Sequence, residues 1–232
     1  MINKMMKRAC YLLALCLALA GCSSEEGGPL LGSLVLAVSL ETPVEVKATA
    51  TRAVDAELQL EIWSSDGATL VRQFAPGAFA NRLTLEAGNY LLKAFTPNYT
   101  TSYSDTELGE AKYYAEKSFT IEADAMNRVS CSVPMINTAV CFTLPNDFNT
   151  IFSSYSFTIK QQATQRNVTL TAGATAYFDC TASEADLLYT LMTINSDNEP
   201  HSDSGNLTAK AGTLYHITYN WQTRSLNPTQ AE

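Results

Sequence analysis

Histidine is almost missing from this 232-residue chain, which holds only His201 and His216. That scarcity removes most routes to histidine-based acid–base or metal chemistry. The sequence also has no G-x-S-x-G elbow, H-E-x-x-H helix, Walker loop or dinucleotide fingerprint. These absences argue against the common hydrolase, metalloprotease and nucleotide-binding families, leaving a hydrolase as a distant third reading, and no cofactor is expected. No Lys/Arg cluster interleaves with aromatics, and the net charge is −8. A surface of that sign repels polyphosphates, so nucleic acid is not an expected partner. A long amphipathic helical pattern is lacking too. So is a membrane-length apolar run: Ala9 to Ala20 supplies about twelve residues where a span needs roughly 20.

That short run is informative in its setting. Lys4, Lys7 and Arg8 precede it, and Leu19-Ala20-Gly21-Cys22 closes it. The order is that of a bacterial lipoprotein signal peptide over residues 1–21, cleaved before Cys22, whose sulfur takes the lipid. Each buried acyl CH₂ is worth about 0.8 kcal/mol, so two or three chains make attachment to a membrane effectively permanent. The segment 1–21 holds three of the 15 basic side chains and no acidic one, leaving 12 Lys+Arg against 23 Asp+Glu and a net charge of −11. Residues 22–32, Cys-Ser-Ser-Glu-Glu-Gly-Gly-Pro-Leu-Leu-Gly, read as a flexible tether.

Beyond Cys22 the cysteines are Cys131, Cys141 and Cys180, an odd number. They pack as small hydrophobes or include a Cys131–Cys141 bridge; none has metal-ligand spacing.

Period-two alternation dominates the remainder. Leu34, Leu36, Val38 and Leu40 share one strand face, and Leu58, Leu60 and Ile62 another. Asp66-Gly67 marks a hairpin, Ala87-Gly88-Asn89 a turn, and Val129, Cys131 and Val133 point inward from a strand. Strands are expected at 90–95, 117–121, 128–133, 139–144, 155–160, 167–170, 175–178, 187–194 and 214–221. Such spacing, with turn residues between, predicts an all-β chain of two tandem antiparallel β-sandwich domains, with one continuous sandwich as the alternative. Pro134 ends one strand set and is the candidate boundary. The domains are then 33–134 and 135–225, with 226–232 as a tail. That tail, with Pro228, lacks the alternating apolar pattern of a donor strand, which argues against a self-polymerising stalk subunit.

Several phrases occur together in order: Gly32-Ser33-Leu34, then Thr51-Arg52-Ala53-Val54, then Leu83-Thr84-Leu85-Glu86-Ala87-Gly88-Asn89-Tyr90-Leu91-Leu92-Lys93-Ala94-Phe95, then 113–121 and 129–137. The combination resembles an uncharacterised family of Bacteroides-type surface lipoproteins related to fimbrillin and fimbrium-anchoring subunits. The resemblance covers residues 30–160 and weakens afterwards. It implies transthyretin- or immunoglobulin-like sandwiches and brings no catalytic residue. It also implies that Ser23-Ser24-Glu25-Glu26 directs display on the outer face of the outer membrane, and that Arg52 is either a processing site or an exposed loop residue.

Candidate sites are few. Asp197, Glu199, His201 and Asp203 lie in a polar stretch, 195–205, that lacks the spacing of a calcium loop, so no metal site is expected. Carboxylates for glycoside hydrolysis could be drawn from Asp105, Glu107, Glu110, Glu184 and Asp186, although acidic loop tips are ordinarily solvating. The segment Pro97 to Tyr114 is long for a sandwich loop. Its Tyr99, Tyr103, Tyr113 and Tyr114 offer flat apolar faces with polar tips, suited to a glycan or a protein. The bland alternative is that Tyr113 and Tyr114 begin the next strand. The expectation is thus a non-enzymatic, lipid-anchored surface protein of fimbrial-accessory or adhesin type. A glycan-binding lipoprotein of a polysaccharide-capture system is the alternative.

Overall fold

The computed structural model describes residues 28–41, 58–79 and 82–230. The signal segment, Cys22, most of the tether and Arg52 lie outside them. Fifteen strands account for nearly all the regular structure. The first seven are β1 (Leu31–Leu40), β2 (Gln59–Ser64), β3 (Leu70–Phe74), β4 (Arg82–Glu86), β5 (Gly88–Phe95), β6 (Tyr114–Ile121) and β7 (Met126–Val133). They form a three-stranded sheet of order β4-β1-β7 facing a four-stranded sheet of order β3-β2-β5-β6. Between the sheets lie Leu34, Leu36, Leu85, Val129 and Val133 from one side, and Leu60, Ile62, Leu92 and Phe119 from the other. Leu34, Leu36, Leu60, Ile62, Val129 and Val133 belong to the alternating faces that the sequence pattern picks out.

The second half comprises β8 (Asn137–Thr143), a single helical turn α1 (Phe148–Ile151), β9 (Phe152–Gln161), β10 (Asn167–Leu170), β11 (Thr175–Asp179), β12 (Glu184–Asn195), β13 (Pro200–Lys210), β14 (Leu214–Asn220) and β15 (Ser225–Gln230). Its sheets run β11-β8-β14-β15 and β10-β9-β12-β13. Adding seven to each strand number of the first domain gives the order in the second, where β15 is added at one edge, so the same seven-strand arrangement occurs twice. In each copy the first and last strands are parallel neighbours, β1 with β7 and β8 with β14, within otherwise antiparallel sheets. The second core centres on Phe142 stacked on Phe157, with ring centroids 3.8 Å apart, among Val140, Ile159, Phe178, Leu187 and Ile217.

Three expectations are corrected. The polar stretch 195–205 is not a loop: β12 and β13 form a long hairpin, paired from Glu184↔Lys210 to Ile194↔Pro200. β13 is an edge strand whose Ser202, Ser204 and Asn206 are exposed, so no strong apolar alternation is required of it. Opposite Gly205 lies Tyr189, whose phenol oxygen would be 2.2 Å from any Cβ there; glycine is needed for that ring to cross the strand. The expected tail 226–232 is likewise not free over its described part, residues 226–230. Residues 225–230 form the fifteenth strand, with Leu226 buried, and Pro228 opposite Ile217 is tolerated because β15 lies at the sheet edge. The first domain also begins earlier than the expected residue 33, since β1 starts at Leu31.

The two sandwiches join end to end. β1 and β7 run toward Val133, and β8 sets out from Asn137 just beyond it. The chain therefore enters the first domain at Leu31, on the end away from the joint. The opposite end of the second domain holds α1, the β12–β13 turn and the β14–β15 turn.

Candidate functional site

Residues 97–113, read from sequence as a recognition loop, are an interdomain strap. It leaves β5, crosses to the second domain and returns to β6. Arg166, only 8% exposed, pins it: Nε donates to the Ser104 carbonyl (3.0 Å), Nη1 to that of Tyr177 (2.6 Å), and Nη2 to that of Glu107. The Tyr177 amide donates to the Leu108 carbonyl (2.8 Å), and the Asn167 amide to Asp105 Oδ1 (3.0 Å). Lys112, 3% exposed, places Nζ 2.5 Å from both Asp179 Oδ1 and the Thr101 carbonyl. Asn137 closes the joint, accepting from the Lys112 amide (3.0 Å) and donating to the Glu110 carbonyl (2.9 Å). Burial pulls the Arg166 pKa down, but an arginine at so high an ordinary value stays charged.

The four tyrosines divide accordingly. Tyr103 lies in the joint, with Lys112 Nζ 5.3 Å and Arg166 Cζ 5.9 Å from its ring centroid. Gly109, at φ +77°, passes so close to that ring that a Cβ would be 3.1 Å from it. Tyr113 is buried in the first core and bridges to Met135. Tyr99 and Tyr114 do come together, stacked with centroids 5.1 Å apart, and Phe95 packs 4.7 Å from Tyr99. Tyr114 begins β6, and its hydroxyl donates to Glu116 Oε1. Burial, then that carboxylate, pushes its phenol pKa well up. The strap carboxylates are occupied as well: Glu107 accepts from the Ser104 amide and hydroxyl, both at 2.8 Å, which lowers its pKa, and Asp105 holds Asn167. A crevice of ≈ 380 Å³ opens beside the strap, but its Arg166 and Asp179 are already committed to the joint.

The larger concavity lies at the far end of the second domain. It is a cleft of ≈ 730 Å³ lined by Asp147, Ile151, Phe152, Asn195, Glu199, Pro200, His201, Tyr219, Trp221 and Arg224. Three rings line it, with the buried Phe148 of the helical turn packed behind them. Phe152 comes from the start of β9, Tyr219 from the end of β14, and Trp221 from just beyond that strand. Trp221 lies parallel to Phe152 at 6.0 Å, with Phe148 5.7 Å from it and Tyr219 edge-on at 5.1 Å. Its indole N–H donates to Asp147 Oδ1 (2.8 Å), which fixes both ring and carboxylate. Across the cleft, Asn195 organises the β12–β13 turn: its Oδ1 accepts from the Asp197 and Glu199 amides (3.0 and 2.7 Å), and its Nδ2 donates to Glu199 Oε2 (3.0 Å). Asn198 and Arg224 sit at φ +62° and +52° in the two turns that frame the cleft, a backbone region few non-glycine residues occupy.

Sequence reasoning missed this site because its parts come from three distant segments. The available signal was Tyr219 and Trp221 continuing the alternation of Tyr215 and Ile217, with Phe148 and Phe152 beside a turn. Of the acidic stretch, Glu199 and His201 line the cleft, whereas Asp203 accepts from the Leu226 amide (2.6 Å) and tethers β15. Among the described residues no group of three or more potential ligands could hold a metal ion. The three cysteines are free thiols. Burial pushes Cys131 up, and Cys180 up to about 11, so both stay protonated at neutral pH.

Among curated proteins none matches this chain. Solved structures to which it is similar include a provisionally assigned cell adhesion protein from Bacteroides uniformis, at 12% identity and TM-score 0.49, covering 89% of this chain and 98% of the other. A fimbrial assembly protein from Parabacteroides distasonis is similar at 11% identity and TM-score 0.43, covering 87% and 99%. A provisionally assigned polysaccharide binding protein (DUF1812) from Bacteroides thetaiotaomicron is similar at 10% identity and TM-score 0.48, covering 81% and 91%. Residues 31–231 match the family described as "Domain of unknown function (DUF4493)", and with nearly the whole chain covered the protein belongs to that family.

Proposed function

We propose that this protein is a non-enzymatic, lipid-anchored surface protein of adhesin type, held to the outer membrane through Cys22 and presenting its second domain outward. The observation that carries the reading is the opposition of two poles. The chain enters at Leu31 on one end, and a large aromatic cleft lies at the other, across a joint pinned by Arg166 and Lys112. A body anchored at the first pole holds the second as far from the membrane as the fold allows.

The test is a Cys22→Ser variant beside the unaltered protein. The unaltered protein incorporates labelled palmitate, fractionates with outer membranes and is degraded by protease added to intact cells; the variant loses the label and the membrane association. An unlabelled parent, or a parent protected until cells are lysed, contradicts the proposal.

A further inference from the structure

From the geometry of the distal cleft we infer that it is a saccharide-binding site for a neutral pyranose unit. The inference rests on the display reading for which way the cleft faces, though not for the binding itself. A pyranose presents an apolar C–H face and an equatorial rim of hydroxyls. The cleft matches both. Trp221 is half-buried, and its ring is immobilised from behind by Phe148 and Phe152 and at its N–H by Asp147. An aromatic plane held this way loses little conformational freedom when a ligand stacks on it. Phe152 and Tyr219 are buried and supply the dry base.

The polar groups are acceptors and donors already set in place. Glu199 is oriented by Asn195, Asp147 by Trp221, and His201 and Arg224 lie on the rim. Two carboxylates against one guanidinium and one imidazole disfavour an anionic ligand, while carboxylates accept readily from hydroxyl donors. The volume of ≈ 730 Å³ falls in the usual range of small-ligand sites, about 300–1,000 Å³. The surface is concave with fixed polar groups, which suits one or two sugar rings better than a broad protein face.

The test is affinity electrophoresis of the full-length protein in detergent, through gels containing glycogen, galactomannan, yeast mannan or, as an anionic control, polygalacturonate. At least one neutral polysaccharide retards the protein. Glu199→Gln and Trp221→Ala each weaken retardation by about tenfold or more. The chain has two tryptophans, so Trp63→Phe leaves Trp221 as the single reporter; it retains retardation, and its fluorescence shifts saturably with oligosaccharides of the retarding polymer. Circular dichroism of Glu199→Gln, a substitution on an exposed turn, shows that the fold is kept. No retardation by any neutral polymer overturns the inference. So does retardation unaffected by both variants, or a preference for polygalacturonate. Saccharide binding by a protein that proves not to be displayed on cells would remove only the display reading, and display without binding only this one.

Discussion

Replacing Arg166 with alanine should uncouple the two domains. The side chain makes three hydrogen bonds to carbonyls, two of them in the strap at Ser104 and Glu107. A hydrogen bond to a charged group contributes about 1.5–3 kcal/mol, so three would sum to more than 4. They share one guanidinium, however, and the adjoining crevice lets water reach part of the group, so a loss of about 3–5 kcal/mol is expected. For a cooperative unit of this size that lowers the Tm by about 10 °C. Hydrogen exchange localises the change: the Tyr177 amide, bonded to the Leu108 carbonyl in the parent, loses protection with the strap, whereas the β9 and β12 amides keep theirs. Glu-C protease then cuts after Glu107 and Glu110. Arg166→Lys restores little, because one ammonium cannot reach three diverging acceptors. An Arg166→Ala protein with the parental Tm and a protected Tyr177 amide would refute the idea that the strap locks the joint.

Gly32→Ala should destabilise the first domain by about 1–3 kcal/mol, seen as a lower denaturant midpoint, because the added Cβ would lie 2.2 Å from the Glu122 carbonyl oxygen and 2.7 Å from Ile121 Cγ2. Phe142→Ala should cost about 3–5 kcal/mol through loss of the Phe157 stack at the centre of the second core. Cys180 should resist iodoacetamide at pH 8. Its thiol pKa of about 11 exceeds the ordinary 9, so the folded state holds its proton through that interval while the unfolded chain releases one. Stability from this group is complete below pH 9 and declines as pH rises toward 11; rapid native labelling at pH 8 would contradict that. Tyr103→Ala should loosen the strap in the same exchange experiment, whereas Tyr99→Ala, at the half-exposed Tyr114 stack, should leave the Tyr177 amide protected.

Much of this architecture is legible along the chain because one face of most strands is buried. Leu34 and Leu36, Leu58 through Ile62, and Val129 through Val133 alternate because water lies on one side and the opposing sheet on the other. Where that asymmetry vanishes, so does the signal. β13 and β15 are edge strands whose composition is polar or contains Pro228, and local pattern alone reads them as loop and tail. The strap shows a different limit. Its length and tyrosines are visible in the sequence, but Arg166, Tyr177 and Asp179, which bind it, come from the far side of the domain boundary. The distal cleft depends in the same way on Phe152, Glu199 and Trp221 meeting through tertiary contacts, so no local spacing announces it.

The account turns on which pole of the molecule faces away from the cell. Arg224→Cys adds a thiol at the distal cleft to the native thiols of Cys131, Cys141 and Cys180, none of which lines it. A membrane-impermeant maleimide added to intact cells should label this variant well above the parent protein, with the extra label at position 224. Labelling of that position only after the outer membrane is broken would contradict the account.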